Sequence, residues 1–279
     1  MMINHNGTLL AASSRSLTAN NRGFLYGDAI FETLKHTATE ALYWEDHYFR
    51  LMASMRIFGM EIPLDFTPDF FEKEFSRTIK GQSVDAPAWR IRLTVFRDAG
   101  GKYTPTTNKV GFLIQCEPLE HAHYPPPAGD YVVDLYKDHY VQPGLLSNLK
   151  SNNKALQVLG SVFAQRQELQ NCILLNDRKE VTEALNGNLF LVFGNALHTP
   201  PLASGCLDGI MRKQVISLAN TLPMQIEERA ITPFELQRAD ELWVTNTIAG
   251  ISPVTRYRRK NYENHVAVKT LALINKNIS

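Results

Sequence analysis

The chain has 279 residues, room for one large domain or two of ordinary size with a full interior. Hydrophobic residues at 44% and charged residues at 20% are ordinary globular proportions. With 29 basic and 28 acidic side chains the net charge is +1, so no global field draws the protein to nucleic acid or an anionic membrane; an anionic ligand needs a local cluster of donors. Three cysteines, Cys116, Cys172 and Cys206, are odd in number, widely spaced and form no CxxC pair. That argues against a disulfide framework or a structural zinc site, leaves no metal expected, and suits a reducing, cytoplasmic setting. Residues 1–16 lack the apolar run of a signal peptide, and no stretch of about 18 apolar residues marks a membrane span.

Along the chain, residues 44–60 place Phe49, Met52, Met55 and Phe58 about three apart, the stripe of a helix. Residues 67–79 read as a second helix with Pro68 near its start. Residues 90–97 alternate, with Ile91, Leu93 and Val95 on one face of a strand; a turn at 98–102 and a strand at 111–116 follow. Residues 118–130 are proline-rich and aperiodic, which predicts a stiff linker at 119–130 between an N-terminal domain of 1–118 and a C-terminal domain of 131–279. Beyond it come a strand at 131–136, then a helix at 155–169 with Ala155, Val158, Leu159, Val162 and Phe163 at helical spacing. Short strands are expected at 172–175, 189–193, 197–199 and 241–245, and a helix at 209–222 opening on Gly209. The mixture predicts an α+β protein of two domains, the second richer in strands.

Chemistry concentrates in a few segments. Lys150 lies between the apolar residues Leu145, Leu146 and Leu149 and the helix at 155–169; a lysine amine forms imines with aldehydes once its pKa is lowered. Glu183, in Val-Thr-Glu-Ala-Leu-Asn-Gly-Asn-Leu-Phe, sits between strand-like segments where a carboxylate can point inward. The sequence Gly209-Ile210-Met211-Arg212 opens a helix on a glycine, which lets backbone N–H groups approach a phosphate. Thr245 and Thr247, on either side of Asn246, offer hydroxyls just past a strand. His47 and Arg50 share a helix face, and Arg50 could add positive charge for a phosphate. Surface or capping roles account equally well for each of these residues taken alone.

In this order the segments resemble the fold-type IV pyridoxal-phosphate enzymes, the class IV aminotransferases, which include branched-chain aminotransferases, D-amino-acid transaminases and 4-amino-4-deoxychorismate lyases. The similarity runs from Asn21-Arg22-Gly23 and Tyr26-Gly27-Asp28-Ala29-Ile30-Phe31-Glu32 through Leu149-Lys150-Ser151-Asn152-Asn153 to Pro253-Val254. It implies a two-domain fold like that of D-amino-acid aminotransferase, with a smaller α/β domain first, a homodimer with a loop from the partner, and pyridoxal 5'-phosphate as cofactor. It implies that Lys150 is the Schiff-base lysine, Glu183 the partner of the pyridine nitrogen and Arg50 a phosphate ligand. The phosphate cradle is implied at Gly209, Ile210 and Met211, with Asn246 and Thr247 beside it. Phe31, Arg92, Arg97, Lys102 and Tyr103 are the candidates for the substrate wall, and an odd spacing puts Arg92 and Arg97 on opposite strand faces. Lys154 and Ala155 replace the asparagine and tyrosine of branched-chain enzymes after the lysine. Phe31, Lys102 and Thr104 replace the tyrosine, arginine and histidine of D-amino-acid transaminases. The loop 96–103 resembles that of the lyases, whereas Phe31-Glu32-Thr33 keeps the glutamate of the aminotransferases. The expected activity is amino transfer between an amino acid and a 2-oxo acid; release of pyruvate and 4-aminobenzoate by a lyase is the alternative.

Overall fold

The computed structural model describes residues 1–218, 221 and 224–278. It consists of two compact units: Met1–Ala122 together with Lys150–Asn153, and His123–Leu149 together with Lys154 onward.

In the first unit an antiparallel sheet contains β1 (Met2–His5), β2 (Thr8–Ala11), β3 (Ala29–Thr37), β4 (Ala88–Arg97) and β5 (Val110–Leu119), in the order β2-β1-β5-β4-β3. Asn6 and Gly7, both at positive φ, make the tight hairpin between β1 and β2. The helices are α1 (Arg22–Tyr26), α2 (Trp44–Ile57) and α3 (Pro68–Lys80). Thr67 caps α3 by accepting from Phe70 N, and Pro68 fills the first turn, where no N–H is missed. Ile91, Leu93 and Val95 of β4 are fully buried against Leu51, Met55, Phe71 and Phe75, as their alternation requires. The stripe on α2 differs from expectation. Met52 and Met55 are buried, but Phe49 is 59% exposed, because the buried face is Trp44, His47, Leu51, Met52 and Met55 at the i, i+3, i+4 spacing.

In the second unit β6 (Val132–Val141), β7 (Asn171–Asn176) and β8 (Val181–Ala184) form one five-stranded sheet with β14 (Arg256–Tyr257) and β15 (Lys260–Asn261). The other contains β9 (Asn188–Phe193), β10 (Ala196–Thr199), β11 (Gln225–Glu228), β12 (Glu241–Asn246) and β13 (Gly250–Pro253). Val133, Ile173 and Val181 of the first meet Leu189, Leu191 and Val244 of the second in one core. The helices are α4 (Ala155–Arg166), α5 (Ile210–Ser217), α6 (Pro233–Leu236) and α7 (His265–Lys276). Of the helix expected at 209–222, residues 219, 220 and 222 lie outside the described residues, as does Ser279 at the end of the expected second domain.

The structure differs from expectation at three places. The apolar stripe of α4 does not face the core: Val158, Leu159 and Val162 are exposed. Gly160 and Ala164 are buried instead, because Leu185 packs so close to Gly160 that a Cβ there would lie 2.4 Å from its Cδ2. The stretch 119–130 is not wholly linker. Leu119 ends β5, and Tyr124 is anchored in the second unit by paired bonds with Asn275, at 2.9 and 2.8 Å. Lys150–Asn153, expected in the second domain, lies with the first unit because it hydrogen-bonds to β3. Among the described residues no helix is long and apolar enough to cross a membrane.

Candidate active site

The first unit holds the lysine. Phe31 N donates to Lys150 O at 2.8 Å, Asn152 N donates to Ala29 O at 2.9 Å, and Ile30 bridges Ser151, so residues 150–152 extend the sheet beside β3. This sets the Lys150 ammonium 4.8 Å from the Phe31 ring centre. The Arg92 guanidinium stands 3.7 Å from the same centre and donates to Asn152 Oδ1 at 3.2 Å. Of the proposed substrate wall, Phe31 and Arg92 thus sit with Lys150.

The structure does not bring Arg97 to that pair. It is buried, and its guanidinium is spent on Asp28 at 2.9 Å, Asn108 at 2.6 Å, Gly59 O at 3.1 Å and Phe58 O at 2.5 Å. It holds the framework together, and being a long donor on a strand was not enough to tell that from a ligand-facing role. Lys102 and Tyr103 lie on the loop after β4, where Tyr103 is 90% exposed.

Glu32, next to Phe31, organises the residues of α2. It accepts from Arg50 Nε at 2.8 Å, Arg50 Nη2 at 2.5 Å and His47 Nδ1 at 2.7 Å. Burial alone would raise the Glu32 pKa, but the Arg50 guanidinium and these hydrogen bonds hold it at about 2. Burial lowers the His47 pKa, with Glu32 opposing. A neutral His47 whose Nδ1–H donates to Glu32 leaves Nε2 as an acceptor; that atom is buried and has no partner among the described residues. The sequence marks Glu32 only as a glutamate shared with the aminotransferases; its fork to His47 and Arg50 has no local signal, because these residues lie 15 and 18 positions apart from it.

In the second unit Glu183 lies on β8 and is only 8% exposed, not on a solvent-facing turn. Its Oε2 accepts from Leu207 N at 2.9 Å, while Asn188 Nδ2 donates to Leu207 O at 2.8 Å. The peptide groups before and after Leu207 are therefore both held. Asn148 adds a third hold, donating to Cys206 O at 2.6 Å and Leu202 O at 3.1 Å. The loop so held delivers Gly209 as the N-cap of α5, with no side-chain cap on the helix. A Cβ on Gly209 would fall 1.9 Å from Asn188 Oδ1, so only glycine fits. Ile210 and Met211 follow as the first buried helical residues, whose N–H groups have no carbonyl within the helix to meet. A buried carboxylate and an open helix N-terminus thus share one short loop.

The β12–β13 turn is built differently from expectation. The side chain of Asn246 accepts from Ile248 N at 3.0 Å and Ala249 N at 2.9 Å, which occupies it in forming the turn. Thr247 O accepts from Tyr124 Oη at 3.0 Å, and the buried hydroxyl of Thr245 has no partner among the described residues.

The sequence model of the amino-transferase class IV family matches residues 29–257. A Thermotoga maritima protein named "Probable branched-chain-amino-acid aminotransferase" is 31% identical over 84% of this chain and 79% of its own length. An aminodeoxychorismate lyase of Vibrio harveyi is 26% identical over 84% of this chain and 85% of its own. The branched-chain amino acid aminotransferase of Escherichia coli has the same fold at 21% identity, with a TM-score of 0.88 over all of this chain and 94% of that one. The chain belongs to the class IV aminotransferase family.

Proposed function

We propose that the protein uses pyridoxal 5'-phosphate to move an amino group between an amino acid and a 2-oxo acid, as a cytoplasmic homodimer. The observation that carries this is the loop 206–209, which presents Glu183 and the uncapped start of α5 together. These residues fit the cofactor. The N–H groups of Gly209, Ile210 and Met211 suit a phosphate because the helix start is positive and Gly209 leaves no Cβ in the way. Arg50, steadied by Glu32, would add a guanidinium, and Thr247 a hydroxyl.

When bound, pyridoxal phosphate supplies a conjugated ring that takes up the electron pair released when a substrate Cα–H bond breaks. Glu183, a buried carboxyl group, would hold a proton at the ring nitrogen. Lys150 would hold the aldehyde carbon and, once displaced by the substrate amine, use its neutral Nζ to take the Cα proton. Arg92 beside Phe31 offers a cation for a substrate carboxylate, and Lys102 and Tyr103 complete the wall from their loop. Three buried free cysteines support a reducing compartment. Phe24 at 79% exposed, and Leu25 and Phe49, also exposed, are large apolar side chains that a second copy would cover.

The test is a paired assay on the reconstituted protein. Formation of glutamate from 2-oxoglutarate with a panel of L- and D-amino acids is the expected result. Pyruvate from aminodeoxychorismate with no transfer to 2-oxoglutarate would assign the lyase activity instead, which the Vibrio harveyi relative carries in its name. A colourless protein that takes up no pyridoxal phosphate would overturn both.

A further inference from the structure

Residues 21–28 have no part in the chemistry above, yet they touch both the substrate loop and the lysine segment. The Asn21 side chain accepts from Phe24 N at 3.1 Å and caps α1, and Gly27, at φ 63, ends it one turn later. This tight helix returns Asp28 to Arg22, whose Nε donates to Asp28 Oδ2 at 2.8 Å. Arg22 is 3% exposed and spends the rest of its fork on the loop after β4. Nη1 donates to Lys102 O at 2.6 Å, Gly100 O at 3.0 Å and Gly101 O at 3.4 Å, and Nη2 to Tyr103 O at 3.4 Å. Four successive carbonyls can converge on one guanidinium because Gly100 and Gly101 both take positive φ, at 118° and 75°. On its other side the motif meets the lysine segment: a Cβ on Gly27 would lie 2.4 Å from Asn153 Oδ1. A cavity of about 260 Å³ opens here, lined among others by Tyr26, Asp28, Tyr103 and Asn153.

We propose that Arg22, held by Asp28, is a positioning residue that fixes the backbone of the loop 98–105 relative to the Lys150 segment, and so sets where Lys102 and Tyr103 meet the substrate. The proposal rests on the reading of Lys102 and Tyr103 as substrate-facing. Arg22 itself touches no substrate: its donors are committed to Asp28 and to carbonyls. Lysine does not replace it, because an ammonium is a point charge without the planar fork that gathers several acceptors.

The holoenzyme is compared with its Arg22→Ala, Arg22→Lys and Asp28→Asn variants by native tryptic cleavage and by steady-state kinetics. Cleavage at the Lys102–Tyr103 bond, followed by mass spectrometry, is expected to accelerate about tenfold in Arg22→Ala and by less in Arg22→Lys and Asp28→Asn. KM for the amino acid is expected to rise about tenfold with kcat changed by less than about threefold, and visible cofactor absorbance to stay. Unchanged cleavage in a variant that melts as the parent does overturns the clamp. Faster cleavage with unchanged KM overturns its service to the substrate, and leaves the cofactor assignment standing.

Discussion

Gly209→Ala is the sharpest probe of the phosphate cradle. The backbone at Gly209 has φ −78° and ψ 137°, which alanine adopts freely, so the substitution adds one methyl and no backbone strain. That methyl falls 1.9 Å from Asn188 Oδ1. The two groups must separate by more than about 1 Å to reach ordinary contact. If Asn188 moves, its 2.8 Å bond to Leu207 O is lost in a buried site, at a cost of about 1–3 kcal/mol. If Gly209 moves, the first amides of α5 leave the phosphate position. Either way the cofactor should bind about 10- to 100-fold more weakly, since each 1.4 kcal/mol is about tenfold. The assay is titration of the apoprotein with pyridoxal phosphate, read by visible absorbance, in Gly209→Ala, Asn188→Ala and the double variant. In the Asn188→Ala background the clash is gone, so adding Gly209→Ala should cost less than about twofold. Wild-type affinity in Gly209→Ala, or the same loss in both backgrounds, would refute the steric account of the cradle.

Lys150→Ala should abolish the visible cofactor band and lower turnover by more than about a thousandfold, measured by glutamate formation. Glu183→Gln keeps an acceptor for Leu207 N, so the melting temperature should stay near the parent while exchange of the substrate Cα proton with deuterated water slows about a hundredfold; unchanged exchange would remove Glu183 from the mechanism. Glu32 makes a pH prediction. Its folded pKa, about 2, is below its ordinary 4.5, so the unfolded chain binds more protons as pH falls; the stabilisation is present above about pH 4.5 and lost as pH drops through about 2. This is on the order of 3 kcal/mol, and urea midpoints at pH 7 and pH 3 should lie closer together in Glu32→Gln than in the parent. At pH 7 that variant should also be less stable by about 3 kcal/mol, because the ion pair between Glu32 and the Arg50 guanidinium is lost.

Periodicity made much of the fold legible. The alternation at Ile91, Leu93 and Val95 located β4 and its buried face, and Pro68 after Thr67 located the start of α3. It misread α4, because a glycine and an alanine make the packed face there and the larger side chains lie outside it. Spacing cannot see that kind of close approach. It also passed over β3, where Glu32, Lys35 and His36 are buried polar residues that break the hydrophobic pattern. Gly209 could be picked out from the chain alone as the residue that opens α5. Arg97 and Asn246 could not be sorted, because a donor or an amide reads the same in a sequence whether it faces a ligand or braces a turn. Their partners, Asn108 in one case and the amides of Ile248 and Ala249 in the other, emerge only in three dimensions.

The pairing of residues 150–152 with β3 has a consequence for synthesis. At Ala29–Phe31 the outer edge of β3 is left without these backbone partners until the chain has grown past residue 152, about 115 residues after β3 itself ends. A nascent chain or a fragment stopping before that point carries an open strand edge, the usual template for unwanted strand-to-strand association. The segment that carries Lys150 is therefore also the piece that covers the start of the β3 edge, at Ala29–Phe31.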